Sequence, residues 1–229
     1  MGIPVRSSRV PRRREGCARF RLSHDTPCVG VAQNSRSIGA RRGHDAGVAI
    51  EIVFETHSWS EDNERAVATG WLPGRLSERG KSAARELGIR RRDDNIAAVF
   101  ASDFRRAAET AAIAFDGAAV PLLLDWRLRE CDYGDLNGAD SALVHGHRAQ
   151  YLNVAYPGGE SWREAVDRVG RFLRDLPSRW QDRRILVIGH VATRFAFERF
   201  LRDVPLAHLL EEEFIWGEGW EYQLANPPV

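Results

Sequence analysis

From residue 48 onward, short continuous apolar runs alternate with segments whose apolar positions recur at helical spacing, an order that predicts α/β architecture. Residues 48–54 form the first buried run. Residues 76–91 form the first helix, with Ser77 and Gly80 suited to its first turn and Ala83, Ala84, Leu87 and Ile89 on its apolar face. Residues 96–101 predict a second strand, Asp103 a cap for a helix running to about residue 115, and residues 120–124 a third strand. A long amphipathic helix is expected over residues 160–176, where Val166, Val169, Phe172 and Leu173 share one face. A strand at residues 185–188 and a helix at residues 193–202 follow it. Residues 214–224, with Gly217 and Gly219 between aromatic and apolar side chains, read as one or two edge strands, and no internal repeat is visible.

Residues 1–47 lack this periodicity. They hold ten arginines against Glu15, Asp25 and Asp45, a charge of +7 that leaves −6 for the rest of a chain whose formal net charge is +1. Such a basic, Ser/Gly/Pro-containing arm reads as a disordered Arg-rich extension, and the folded domain is expected over residues 48–229. The arm's basic, acid-poor character also suits an anionic surface or a transit peptide, although a nucleic-acid partner is not expected. The whole chain, 229 residues with 43% hydrophobic and 28% charged side chains, has the size of one catalytic domain. No apolar run approaches the roughly 20 residues needed to span a bilayer, and no secretory signal is visible, so a soluble, cytoplasmic protein without a membrane partner is expected. Cys17, Cys28 and Cys131 are too few and too irregularly spaced for a disulfide framework or a zinc site.

Two apolar runs each end in a histidine. Residues 52–58 (IVFETHS) deliver His57 and residues 184–190 (RILVIGH) deliver His190 to strand ends, where open α/β sheets place ligands. A strand-capping histidine also commonly bonds only a loop carbonyl, so it is the pair, together with an arginine and a carboxyl, that points to chemistry. Arg105 and Arg106 open the helix after the second strand. A guanidinium there can donate two parallel hydrogen bonds to a phosphate, and one of the two is expected on the solvated surface. Glu130 lies in a loop after the third strand; it reads on charge alone as an ordinary surface glutamate, and as a proton donor if burial or a neighbouring anion raises its pKa. A zinc reading of His57 and His190 lacks third and fourth ligands at suitable spacing.

In order and spacing these residues resemble the histidine phosphatase superfamily, the phosphoglycerate-mutase-like proteins. The family opening Arg-His-Gly-Glu-Thr-x-Trp-Asn aligns with residues 56–63 (THSWSEDN), and its Pro-Leu-Thr-Glu-x-Gly with residues 75–80 (RLSERG). Residues 102–111 match the Ser-x-Leu-x-Arg-Ala-x-x-Thr-Ala segment and assign the phosphate-binding arginine to Arg106. Residues 128–134 match the acid loop with Glu130 as proton donor, residues 157–161 match Pro-Gly-Gly-Glu-Ser, and His190 matches the second histidine. The resemblance implies a three-layer α/β/α sandwich with a mostly parallel six-stranded sheet.

It also implies a metal-independent histidine acid phosphatase-type phosphomonoesterase that needs no cofactor. His57 would be the nucleophile that becomes a phosphohistidine, Glu130 the acid, and His190, Arg106 and Asn63 the groups on the phosphoryl oxygens. The substrate would be a small phosphomonoester. Thr56 stands where the family has a phosphate-binding arginine, and Ser58 where it has glycine. Thr56 keeps one hydroxyl donor, but loss of the charge is expected to weaken activity, at a cost of about 2–4 kcal/mol or roughly 10²–10³ in rate. Arg75, Arg105, Arg129 and Arg194 are the candidates for a displaced charge. The alternative from another class is a non-catalytic phosphoester-binding or interaction domain, and a mutase-type phosphotransferase ranks below both because the family's mutases carry extra insertions. Specificity is expected from residues 137–156, with His145, His147, Arg148 and Trp162 as candidates and the histidines as exposed loop residues. Trp216 and Trp220 near a sheet edge are compatible with a dimer.

Overall fold

The computed structural model of the protein describes residues 49–213 and 215–225. The extension expected at residues 1–47 lies outside the described residues. In chain order the elements are β1 (Ile50–Thr56), α1 (Glu61–Glu64), α2 (Glu78–Arg91), β2 (Ala98–Ala101), α3 (Arg105–Ala114) and β3 (Leu122–Leu124). They continue with α4 (Ser141–His147), α5 (Trp162–Asp175), α6 (Pro177–Trp180), β4 (Arg184–Gly189), α7 (Val191–Leu201), α8 (Leu206–Glu211) and β5 (Trp220–Leu224).

The sheet order is β3-β2-β4-β1-β5, and only β5 runs antiparallel to its neighbour. Side-chain alternation along the central strands sorts the core into two layers. Ile52, Phe54, Phe100, Ile185 and Val187 pack with α5 and α7 on one face, whereas Val53, Val99, Leu186 and Ile188 pack with Ala107 and Ala111 of α3 on the other. Burial on both faces explains why β1 and β4 read as nearly unbroken apolar runs. The result is the expected α/β/α sandwich.

Three expectations are corrected. Among the described residues the sheet has five strands, not six, and residues 215–225 supply one strand. Gly219 turns the chain just before β5 at φ 90°, and a Cβ there would lie 2.0 Å from Arg91 Nη2, so extended structure does not continue backwards through it. Asp103 does not cap α3: Phe104 holds the cap position without a side-chain bond, and Asp103 instead makes a two-pronged ion pair with Arg129 at 2.8 and 2.6 Å. The 160–176 helix starts later, at Trp162, because Ser161 is its cap. Ser161 Oγ accepts from the Glu164 N–H, and the Glu164 carboxylate accepts from the Ser161 N–H at 2.8 Å. Among the described residues no helix is long and apolar enough to cross a membrane.

Candidate active site

The parallel pairing of β1 with β4 builds the site. Thr56 lies opposite Gly189, and the His57 N–H donates to the Gly189 carbonyl at 3.0 Å, so the two strands release His57 and His190 side by side. Their ring centroids are 5.0 Å apart. β2 ends next to β4, with the Ser102 N–H bonded to the Ile188 carbonyl, and the following turn brings Arg106 of α3 to the same edge. Thr110 locks the junction: its hydroxyl donates to the Arg106 carbonyl at 2.7 Å and accepts from the Ser58 N–H at 3.0 Å.

His57 Nδ1 lies 2.8 Å from the Ser58 carbonyl. A carbonyl only accepts, so the proton sits on Nδ1 and the lone pair on Nε2. Burial, then the charge of Arg106, lowers the His57 pKa to about 3, with the Ser58 bond opposing. His190 is buried, neither ring nitrogen has a hydrogen-bond partner, and its pKa is held well below the ordinary value by burial, Arg106, His57 and Arg168. Both rings are therefore neutral at physiological pH.

The buried Glu130 carboxyl rests on the start of α7, where Oε2 accepts from the Val191 N–H at 3.2 Å and Oε1 from the Ala192 N–H at 3.0 Å and the Cys131 N–H at 2.9 Å. Burial raises its pKa, against the pull of these N–H groups and of Arg106. Its backbone is clamped separately. Arg168 Nη1 donates to the Arg127 and Arg129 carbonyls, and Nη2 to the Glu130 carbonyl at 3.1 Å and to the Glu160 carboxylate. Trp71 Nε1 donates to the same Glu130 carbonyl at 2.7 Å. Arg106 is buried and donates to the Gly70 carbonyl at 2.9 Å and the Leu72 carbonyl at 3.4 Å. Gly70 is required there, since its φ is 52° and a Cβ would lie 1.8 Å from Asn137 Oδ1.

All six sequence-predicted site residues, Thr56, His57, Asn63, Arg106, Glu130 and His190, line one cavity of about 340 Å³. Asn63 Oδ1 is tied to the Ser60 N–H at 3.0 Å and to its hydroxyl, which leaves the amide NH₂ as its donor. The Thr56 hydroxyl is buried without a hydrogen-bond partner among the described residues. Ser58, which stands where the family has glycine, is buried and is not among the residues that line the cavity.

The four arginines expected as stand-ins for the family arginine all lie elsewhere. Arg75 pairs with Glu61 and Arg105 with Glu109, both largely exposed; Arg129 pairs with Asp103; Arg194 lies near Glu198 and over the Trp220 ring. Among the specificity candidates, His145 and Arg148 line the cavity, His147 is exposed with Nδ1 bonded to the Leu143 carbonyl, and Trp162 is core, its indole N–H bonded to Tyr156. Arg148 is buried, with its guanidinium directed at the Leu209, Leu210 and Glu212 carbonyls. Sequence reasoning missed Arg168. The available signal was a charge within an apolar helical stripe, between Val166 and Val169.

The sequence profile of the histidine phosphatase superfamily (branch 1) matches residues 52–214. The chain belongs to that superfamily. A 2,3-bisphosphoglycerate-dependent phosphoglycerate mutase of Methylobacterium radiotolerans is 34% identical over 189 residues, covering 76% of this chain and 89% of the relative. Among solved structures, Bacillus stearothermophilus YhfR matches this superfamily member with a TM-score of 0.66 at 24% identity, over 74% of this chain and 88% of that one. A mycobacterial glucosyl-3-phosphoglycerate phosphatase matches with a TM-score of 0.65 at 23% identity, over 73% and 89%. The two structural matches share the fold with this chain. Phosphoryl-transfer chemistry is common to the superfamily.

Proposed function

We propose that this superfamily member is a phosphomonoester hydrolase working through a phosphohistidine on His57. The observation that carries the reading is the neutral His57 with its Nδ1 proton held by a carbonyl, beside His190, Arg106 and the buried carboxyl of Glu130 around one cavity. Nε2 attacks phosphorus in line with the ester oxygen: the N–P bond forms, the P–O bond breaks, and the Glu130 proton passes to the leaving oxygen. Water then attacks the phosphohistidine, Glu130 takes its proton back, and the N–P bond breaks to release phosphate. Arg106 supplies the fixed positive charge for the phosphoryl oxygens, with His190, Asn63 and the Thr56 hydroxyl as neutral donors. A carboxyl whose pKa burial raises suits the acid role.

One observation favours a second reading, a phosphoester-binding domain without turnover. Thr56 stands where the resemblance implies an arginine, and Arg106 already donates to two backbone carbonyls, which would reduce the cationic field on a transferring phosphoryl group. Phosphate release from phenyl phosphate, followed in the presence of a chelator, separates the two. Hydrolysis abolished by His57→Ala supports the enzyme, whereas binding without release supports the binding domain.

A further inference from the structure

The residues around the cavity divide into two chemistries. The transfer centre has His57, His190, Arg106 and Glu130; much of the remaining wall is Trp59, Ala66, Val67, Ala68, Tyr133 and Trp216. Trp216 is 53% exposed and Trp59 partly so, and Trp59 is backed by the Arg79 guanidinium 4.0 Å from its ring centre. Tyr133 is buried, and burial drives its phenol pKa far up, so it adds no negative charge.

Charge in the lining is sparse. Among the described residues it is confined to Arg106 and Arg148, with Glu130 as the carboxyl that carries the transferred proton. Arg106 belongs to the transferred phosphoryl group. Arg148 has Nε and Nη2 directed at the carbonyls that end α8, and its guanidinium lies over Phe195 at 5.4 Å. A leaving group carrying its own carboxylate would be desolvated against indole and aliphatic side chains, without an uncommitted arginine fork among the described lining residues to receive it.

Resting on the hydrolase reading, we propose that the leaving group is an uncharged, ring-bearing alcohol or phenol held against Trp59 and Trp216, and not a phosphorylated hydroxy acid of the kind its mutase relatives turn over. A cavity of about 340 Å³ lies at the small end of ligand sites and takes one ring beside a phosphoryl group. The indole faces supply area at low entropy cost and tolerate any flat apolar partner.

The test compares kcat/KM of the full chain for benzyl phosphate and 3-phosphoglycerate, both alkyl esters. Benzyl phosphate is expected to be favoured at least about tenfold. Trp59→Ala and, separately, the surface change Trp216→Ala are each expected to lower benzyl phosphate kcat/KM about fivefold to tenfold, mainly through KM, while leaving methyl phosphate unchanged. Equal or better use of 3-phosphoglycerate, or benzyl phosphate kinetics indifferent to both tryptophans, overturns this inference while the hydrolase reading stands. If neither ester places phosphate on His57, the hydrolase reading itself falls, and this inference with it.

Discussion

Replacing His57 with glutamine removes a group whose pKa differs between the unfolded and folded chain, and the consequence is measurable without any substrate. In the unfolded chain the imidazole ionises near its ordinary value of 6.5; in the fold burial and Arg106 hold it near 3. Above about pH 7 it is neutral in both states and contributes nothing to pH dependence. As the pH falls below 6.5 the unfolded state takes up a proton that the folded state refuses, so the fold loses stability progressively until the folded value is reached. At about pH 5 the unfolded ring is roughly thirty-fold more protonated than neutral while the folded ring remains almost wholly neutral, a penalty of about 2 kcal/mol. That figure is insensitive to where below the assay pH the folded value lies. His190, held well below its ordinary value, adds a penalty of the same sign in both proteins and cancels in the comparison. Urea unfolding of wild type and His57→Gln at about pH 7.5 and about pH 5, with m-values checked for constancy, gives the double difference. Wild type is expected to lose about 2 kcal/mol more than the variant. Equal losses would refute the neutral state assigned to His57, and with it the readiness of its lone pair.

Other consequences follow from the same geometry. Thr56→Arg is expected to raise kcat/KM toward a phosphomonoester at least about tenfold, about 1.4 kcal/mol, by adding a fork-shaped cation beside the buried hydroxyl position; an unchanged or lower value in a folded variant would refute the missing-clamp account. Arg168→Met is expected to destabilise the fold by removing the buried donor to the Arg127, Arg129 and Glu130 carbonyls and the cation beside Glu160, and to lower kcat more than it changes KM because the Glu130 backbone loses its clamp; an unchanged kcat in folded protein would contradict the positioning role. Glu130→Gln is expected to remove the basic limb of the kcat profile and to slow esters of poor leaving groups most, and equal slowing of all esters would exclude Glu130 as the acid.

The two histidines were legible because burial of β1 and β4 on both faces writes a mostly apolar run before each of them. The register that sets His57 beside His190 is a pairing between residues far apart in the chain, and periodicity carries no record of it. The motif match named Arg106 rather than Arg105, and the structure buries Arg106 in the cavity wall and leaves Arg105 exposed beside Glu109. Local rules failed where a distant partner competed. Asp103 had the chemistry of a cap but found Arg129, and Trp162, placed beside the expected specificity segment, was drawn into the core by Tyr156 and Phe195. The roles of Arg168 and Arg148 escaped for the same reason, since each guanidinium is held by backbone carbonyls from distant parts of the chain, even though the charge of Arg168 within an apolar helical stripe was visible.

The central claim is a covalent phosphate on His57, and rapid acid-free quenching of the protein mixed with a radiolabelled phosphomonoester tests it most directly. Acid-labile, base-stable label is expected on the peptide containing His57, lost in His57→Ala and longer-lived when Glu130→Gln slows attack by water. Label mapping to His190, or turnover that proceeds at the wild-type rate in His57→Ala, would contradict the account.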